Sequence, residues 1–232
     1  MRLHPNWRLL AIFIAVLTGP PLIAILIMTQ VPPVATPLMV LRTLGYQADK
    51  RAPAPHGWSY HWVPMTKIAP SLAHAVIAAE DTTFCTHNGF DAEAYNHAWE
   101  NYRDGIIARG GSTITQQAAK NVFLWPGRSI LRKGMETLLT PMLELIWGKR
   151  RIMEVYLNVV EWAPGVYGAE AAARYHFHHS AAELTPRESA LLAAVLPNPR
   201  HWSASRPGTY VINRTGIITA RESEVATSCL GR

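Results

Sequence analysis

Hydrophobic and polar positions along this chain follow two rhythms. The first is an unbroken apolar run from Leu9 to Met28, LLAIFIAVLTGPPLIAILIM, which holds 20 residues and no charge. As a helix it would measure about 30 Å, the thickness of a bilayer's hydrocarbon layer. The second rhythm begins near Ser71, where apolar residues recur at helical spacing and turn residues separate one block from the next. Pro70-Ser71 opens a predicted helix that runs to about Glu80. Ser112, after Gly110-Gly111, stands where an N-cap belongs, and STITQQAAKNVF carries the next helix. Ser129 caps a long helix through Trp147, with Leu131, Met135, Leu138, Met142 and Leu145 in register and a kink expected at Pro141. A further helix covers Arg151 to Asn158. Thr185-Pro186-Arg187-Glu188 is a capping box with proline at the first helical position; it opens ESALLAAVL, which Pro197 closes. Alternating strand patterns are nearly absent, so the expected fold class is mainly α. From Ser203 onward periodicity is weak, and a frayed tail is expected.

Charge gives the apolar run an orientation. Arg2 and Arg8 precede it, and flanking arginines stay cytoplasmic, which places everything after Thr29 outside. The run exceeds a signal-peptide core and no small-x-small cleavage site follows it cleanly, so an uncleaved span is expected, bent at Gly19-Pro20-Pro21. Val31 to Pro37, VPPVATP, is a stiff connector. PLMVLRTLGYQ after it reads equally well as an amphipathic piece on the membrane surface or as an ordinary entry helix. The expected partition is a cytoplasmic tail (1–8), a transmembrane helix (9–28), a linker and membrane-proximal segment (29–60), the main domain (61–202) and a C-terminal tail (203–232).

Composition narrows the chemistry. Of 232 residues 49% are hydrophobic, while 22 Lys and Arg against 16 acids leave a net charge of +6. Such a balance suits an anionic partner without choosing among nucleic acid, phospholipid and a phosphorylated substrate. The two cysteines, Cys85 and Cys229, lie far apart and show no metal-ligand spacing. There is no GxxxxGK[ST], no GxGxxG, no HExxH and no CxxC. HFHH, His176 to His179, has no second ligand cluster and reads as a polar surface turn rather than a metal site.

AVIAAEDTTFCTHNGFD, Ala75 to Asp91, is the stretch that points to catalysis. Glu80 ends an apolar helix, where the helix dipole and desolvation both raise a carboxyl pKa toward neutrality. A carboxylate so tuned makes a good general base, while on this stretch alone a solvent-exposed Glu at a helix end is the commoner reading. Glu136 is a second acid, with Arg132 one turn before it and about 40° around the axis. Between the two lies ARGGSTITQQAAKN. Thr113, Gln116, Gln117 and Lys120 share a face of its helix, and Arg128 follows. A donor-rich, cationic segment flanked by two carboxylates has the parts needed for glycosyl transfer or glycoside cleavage.

Four motifs in order, spanning about Trp62 to Pro199, make the chain resemble the peptidoglycan glycosyltransferases of the monofunctional, membrane-anchored bacterial type. EDTTFCTHNGFD resembles that family's first motif, EDxxFxxHxGxD. GGSTITQQAAKN matches the second almost letter for letter. RKGMETLLTPMLELIWGKRRIMEVYLN resembles the third, and GVYGAEAAARYHF the segment that follows. The resemblance implies a lysozyme-like helical domain that polymerises lipid II, the undecaprenyl-pyrophosphoryl disaccharide-pentapeptide. It implies that Glu80 is the base on the acceptor's 4-hydroxyl and that Glu136 organises the donor and pyrophosphate. Lys120 and Arg128 would compensate leaving-group charge, with Arg132 as a further helper. Ser112, Gln116 and Gln117 would line the sugar sites, and Phe84 and His87 would shape the first motif. No cofactor is required and no metal ligands are expected, although a divalent cation, Mg or Mn, often assists family members. Expected partners are lipid II, the nascent glycan strand, the membrane, and other cell-wall synthases or division proteins, but not nucleic acid. The expected location is the bacterial inner membrane, single-pass, with the catalytic domain on the periplasmic side. No SxxK with KTG occurs, so no transpeptidase activity is expected. Two rival readings stand beside this one: a lytic glycosidase using Glu80 as acid, and a non-catalytic membrane scaffold.

Overall fold

The structure is a computed structural model that describes residues 7–45, 58–93, 95–96, 103, 111–127 and 129–231. Among these residues it is mainly helical: α1 (Trp7–Ile27), α2 (Pro37–Thr43), α3 (Pro70–Glu80), α4 (Ile114–Phe123), α5 (Ile130–Val159), α6 (Ala169–Phe177), α7 (Pro186–Val195) and α8 (Thr209–Arg221). A small sheet joins β1 (Ser59–Tyr60), β2 (Glu161–Ala163) and β3 (Val166–Tyr167) in the order β1-β3-β2. β1 runs parallel to β3 with Ser59 opposite Val166, and β2 pairs antiparallel with β3 across a bulge.

The apolar N-terminal run forms α1, which continues through Pro20 and Pro21. Among the described residues no helix is long and apolar enough to cross a membrane; the side chains of 8–11 and 13–18 in α1 lie outside that description. The C-terminal end of α1 docks on α5. Trp147 Nε1 donates to the Ile25 carbonyl at 2.8 Å, the Arg151 guanidinium donates to the Met28 carbonyl at 2.7 Å, and Ile25 is fully buried. α2 starts as a domain-entry helix would: Thr36 caps it, and Leu38 and Met39 are buried.

α3 is the central element. Leu72, Ala73, Ala75, Val76, Ile77 and Ala78 are all buried, so the helix has no solvent face of its own to paint with charge. It packs against α7 and α8, while α4 packs along α5. Each fully buried aliphatic side chain contributes roughly 1.5–3 kcal/mol, which makes α3 a rigid mount for whatever projects from its end.

Two local expectations need correction. Thr113, not Ser112, caps α4: its hydroxyl accepts from the Gln116 amide while Gln116 Oε1 accepts from the Thr113 amide. The helices expected at 129–147 and 151–158 are both present within α5: Ser129 caps the first, Pro141 lies inside it, and non-helical backbone at Gly148 (φ 67°, ψ 168°) separates it from the second. A positive φ costs glycine least, so the break sits where the residue permits it. The chain after Ser203 is not frayed. Thr209–Arg221 is helix α8, burying Val211, Thr215 and Ile218 against α3 and α7. Beyond it Cys229 forms a disulfide with Cys85, whose Cα atoms are 5.4 Å apart.

Candidate active site

α3 ends at Glu80 because Asp81 leaves the helical backbone (φ −163°, ψ 76°). The chain then turns through the loop 82–90, and three anchors hold that loop. His87 Nδ1 accepts from the Gly89 amide at 3.0 Å, which fixes the tautomer, so Nε2 carries the proton and donates to Asp81 at 2.9 Å. Asp81 Oδ2 also accepts from the Ile114 amide, the first of α4, at 2.9 Å. A carboxylate at a helix N-terminus meets both an orphan N–H and the positive end of the dipole. Thr113 Oγ1 donates to the Gly89 carbonyl at 2.7 Å, tying α4 to the loop a second time. Gly89 is obligatory here: its φ is +91°, and an added Cβ would lie 2.8 Å from Thr140 Cγ2.

Phe84 is completely buried beneath this loop, edge-on to His87 at 6.3 Å, with Lys149 Nζ 4.6 Å above its ring. It shapes the loop from inside. Lys149 also pairs with Glu144 at 2.7 Å, and Thr115 Oγ1 donates to the same carboxylate at 2.6 Å.

With the loop and α4 fixed, Glu80 acquires its surroundings. Its side chain is 14% exposed and opens on a cavity of about 180 Å³ that Ser112, Thr113, Asp91 and Arg221 also line. Gln117 Nε2 donates to Glu80 Oε2 at 2.9 Å, and the Tyr156 hydroxyl donates to Gln117 Oε1 at 3.2 Å. Arg214 of α8 approaches from the other side, 3.4 Å from Glu80 Oε1. Burial pushes the Glu80 carboxyl pKa up; the Gln117 hydrogen bond, Arg214 and Lys120 oppose that rise, and Asp81 adds to it. Tyr156, buried beside these acids, is held well above the usual phenol range by burial and by Glu80 and Asp81.

The second acid is built differently. Glu136 is buried, with Arg132 NH1 donating to Oε2 at 2.8 Å and Lys133 Nζ donating to Oε1 at 2.5 Å. Lys133 also reaches Ser112 Oγ at 3.4 Å, which links the Glu136 cluster to the rim of the Glu80 cavity. Lys120 lies in the field of both acids. Burial lowers its pKa, Glu136 and Glu80 raise it, and Arg132 and Lys133 lower it further. Among the described residues its Nζ makes no hydrogen bond, so it is open to an anionic group that enters beside the two acids.

The expected site residues therefore sort by position. Glu80, Gln117, Ser112 and Lys120 gather at one cavity and its immediate field. Glu136 and Arg132 form the adjoining cluster. Gln116 is turned to the helix terminus in the capping box, and Phe84 and His87 support the loop. Arg128 lies outside the described residues. Lys133, Asp81, Tyr156 and Arg214 were missed. Lys133 had a visible signal in its i,i+3 spacing to Glu136. Asp81 adjoins Glu80, Tyr156 reads as core, and Arg214 has no local signature. The HFHH stretch is not wholly a surface turn: His176 is buried, its pKa lowered by burial, while His179 pairs with Glu188 at 3.1 Å.

Glu136's oxygens are occupied by Arg132 and Lys133, and among the described residues no three His, Cys, Asp or Glu side chains cluster to hold a metal.

Comparison with known proteins settles the family. The transglycosylase family model matches residues 52–222. The chain belongs to the transglycosylase family. It is 51% identical over 210 residues to a biosynthetic peptidoglycan transglycosylase of Caulobacter vibrioides, covering 90% of this chain and 87% of that one. A protein of the same description from Rhodospirillum centenum is 48% identical over 217 residues, 92% of this chain and 90% of its own. A third, from Pseudomonas fluorescens, is 49% identical over 201 residues, 87% of this chain and 82% of its own. As a transglycosylase the chain is an enzyme, a glycosyltransferase. The family match includes α8, the segment expected to be a frayed tail.

Proposed function

We propose that this transglycosylase polymerises lipid II into peptidoglycan glycan strands, with Glu80 as general base. The observation that carries this reading is the Glu80 carboxylate, mostly buried, hydrogen-bonded to Gln117, and facing a cavity in the field of the half-buried Lys120. Burial raises the proton affinity of Glu80, while Gln117, Arg214 and Lys120 favour the ionised form that can accept a proton. Glu80 takes the proton of the acceptor sugar's 4-hydroxyl. That oxygen bonds to the anomeric carbon of the growing chain, and the bond from that carbon to undecaprenyl pyrophosphate breaks. The electron pair leaves with the pyrophosphate, where Lys120, Arg128 and the Arg132–Lys133 pair around Glu136 meet the developing charge. Ser112 and Gln117 at the cavity rim supply donors and acceptors for sugar hydroxyls.

A lytic glycosidase would need a protonated Glu80 and has no use for a cluster of cations next to the second acid. The described arrangement favours synthesis for that reason. No residue pattern for peptide cross-linking is present, which supports glycan polymerisation alone.

The same reading anchors the enzyme by α1 in the bacterial inner membrane, with the domain on the periplasmic side. Lipid-bound substrate supports an anchor, and the paired Cys85 and Cys229 support an oxidising compartment. The test is direct. Detergent-purified enzyme incubated with lipid II should yield polymer, Glu80→Gln should yield none, and Lys120→Ala or Arg128→Ala should slow it strongly. Soluble fragments from finished sacculi, with no polymer from lipid II, would reverse the assignment.

A further inference from the structure

Among the described residues, the cation in contact with Glu80 does not come from any of the four motifs. Arg214 sits on α8, 134 residues further along the chain, and its NH2 group donates to two acceptors. One is the Ala79 carbonyl at 3.1 Å, among the unsatisfied carbonyls at the C-terminus of α3; the other is Glu80 Oε1 at 3.4 Å. The guanidinium thus grips the last turn of α3 by its backbone and by the carboxylate together. Its Nε is buried and makes no hydrogen bond among the described residues, so NH2 carries the contacts to α3.

The rest of α8 keeps that grip. Val211, Thr215 and Ile218 are buried on the face that meets α3 and α7. Arg221, seven residues beyond Arg214 and so on the same side of the helix, lines the Glu80 cavity. Past the helix, Leu230 is buried, its carbonyl accepts from Arg150 NH1, and Cys229 is bonded to Cys85 in the loop that follows Glu80. The chain end is therefore fastened to the very loop that shapes the site.

We propose that Arg214 is a positioning residue for the base: it holds the Glu80 carboxylate in place and charged, and α8 with the Cys85–Cys229 bond is the part of the fold that delivers it. This rests on Glu80 being the base. Glu80 is faced by Asp81 from its own turn, by Gln117 and Lys120 from α4, by the Tyr156–Gln117 link from α5 and by Arg214 from α8. Arg214 and Lys120 are the cations among them, and Arg214 is the one in contact.

The experiment compares full-length wild type, Arg214→Ala, Arg214→Lys, Arg214→Gln and Glu80→Gln in polymerisation of lipid II across pH 5 to 9, with thermal melts alongside. Arg214→Ala is expected to lower turnover roughly ten- to hundredfold at neutral pH with KM little changed, as for loss of a group that orients another. Loss of the cation raises the Glu80 pKa, so the acid limb of the rate profile moves to higher pH; Arg214→Lys restores part of both. Wild-type turnover from Arg214→Ala, or a uniform drop with an unmoved acid limb, overturns the proposal. Should Arg214→Ala fail to fold, the Lys and Gln variants decide: higher turnover from Lys supports it, equal turnover rejects it. An active Glu80→Gln would remove the base assignment itself, whereas an inactive one beside fully active Arg214→Ala removes only the role of Arg214.

Discussion

Gln117 Nε2 donates to Glu80 Oε2 at 2.9 Å, and the same amide accepts from Tyr156 through its oxygen. The orientation of Gln117 is thus set from behind, and its amide nitrogen donates to the carboxylate and, at 3.5 Å, to the Ser112 carbonyl. A hydrogen bond to a charged group is worth about 1.5–3 kcal/mol. Gln117→Ala should cut turnover at neutral pH by about tenfold or more, for the same reason. The acid limb of the pH–rate profile should move up, because the ionised form loses its donor. Steady-state polymerisation over pH 5 to 9 measures both.

Glu80 should trade stability for function. Burial holds its folded-state pKa above the ordinary 4.5, so the folded protein binds that proton more tightly than the unfolded chain does. Ionisation therefore begins to cost folding free energy as pH rises past the unfolded pKa, and the cost is complete above the folded one. Glu80→Gln should melt higher than wild type at pH 7 and no higher at pH 4. Calorimetric melts at the two pH values check the sign.

Arg132 and Glu136 form a buried pair, with side chains 10% and 4% exposed. Removing one member leaves a buried charge with less compensation, which costs about 3 kcal/mol or more. Arg132→Ala should lower the urea midpoint accordingly as well as slowing polymerisation. Lys133→Ala, whose side chain is 47% exposed, should slow polymerisation with a smaller loss of stability.

Gly89→Ala tests the loop. The added methyl would meet both a left-handed φ and Thr140 Cγ2 at 2.8 Å. A loss of about 2 kcal/mol or more in urea unfolding is expected from strain of this kind. Because Asp81, His87 and Thr113 all depend on that turn, turnover should fall with it.

Cys229→Ser tests the bridge. The disulfide spans 144 residues, and closing a loop of that length stabilises by at most about 5 kcal/mol in the chain-entropy view. The variant should melt lower than oxidised wild type and close to wild type kept in reductant.

Much of this site was legible locally. The end of α3 at Glu80, the Ser129 cap, the capping box at Thr185 and the shared face of Gln117 and Lys120 all follow from spacing and residue chemistry within a few positions. Where local reading erred, a competing residue lay close by: Thr113 took the cap from Ser112 because Gln116 completes the reciprocal bond with it.

Helical periodicity, caps and the four ordered motifs are near-neighbour properties, and the amino-acid order alone determined them: a mainly α chain with two glutamates in a cationic setting. The tertiary structure decided which groups meet across distance. Lys133 meets Ser112, Tyr156 meets Gln117, and Arg214 crosses 134 positions to reach Glu80. Nothing local marks α8 as part of the site, because its weak apolar stripe gains meaning only once α3 and α7 offer a surface to bury it, and that packing carries the guanidinium to the base.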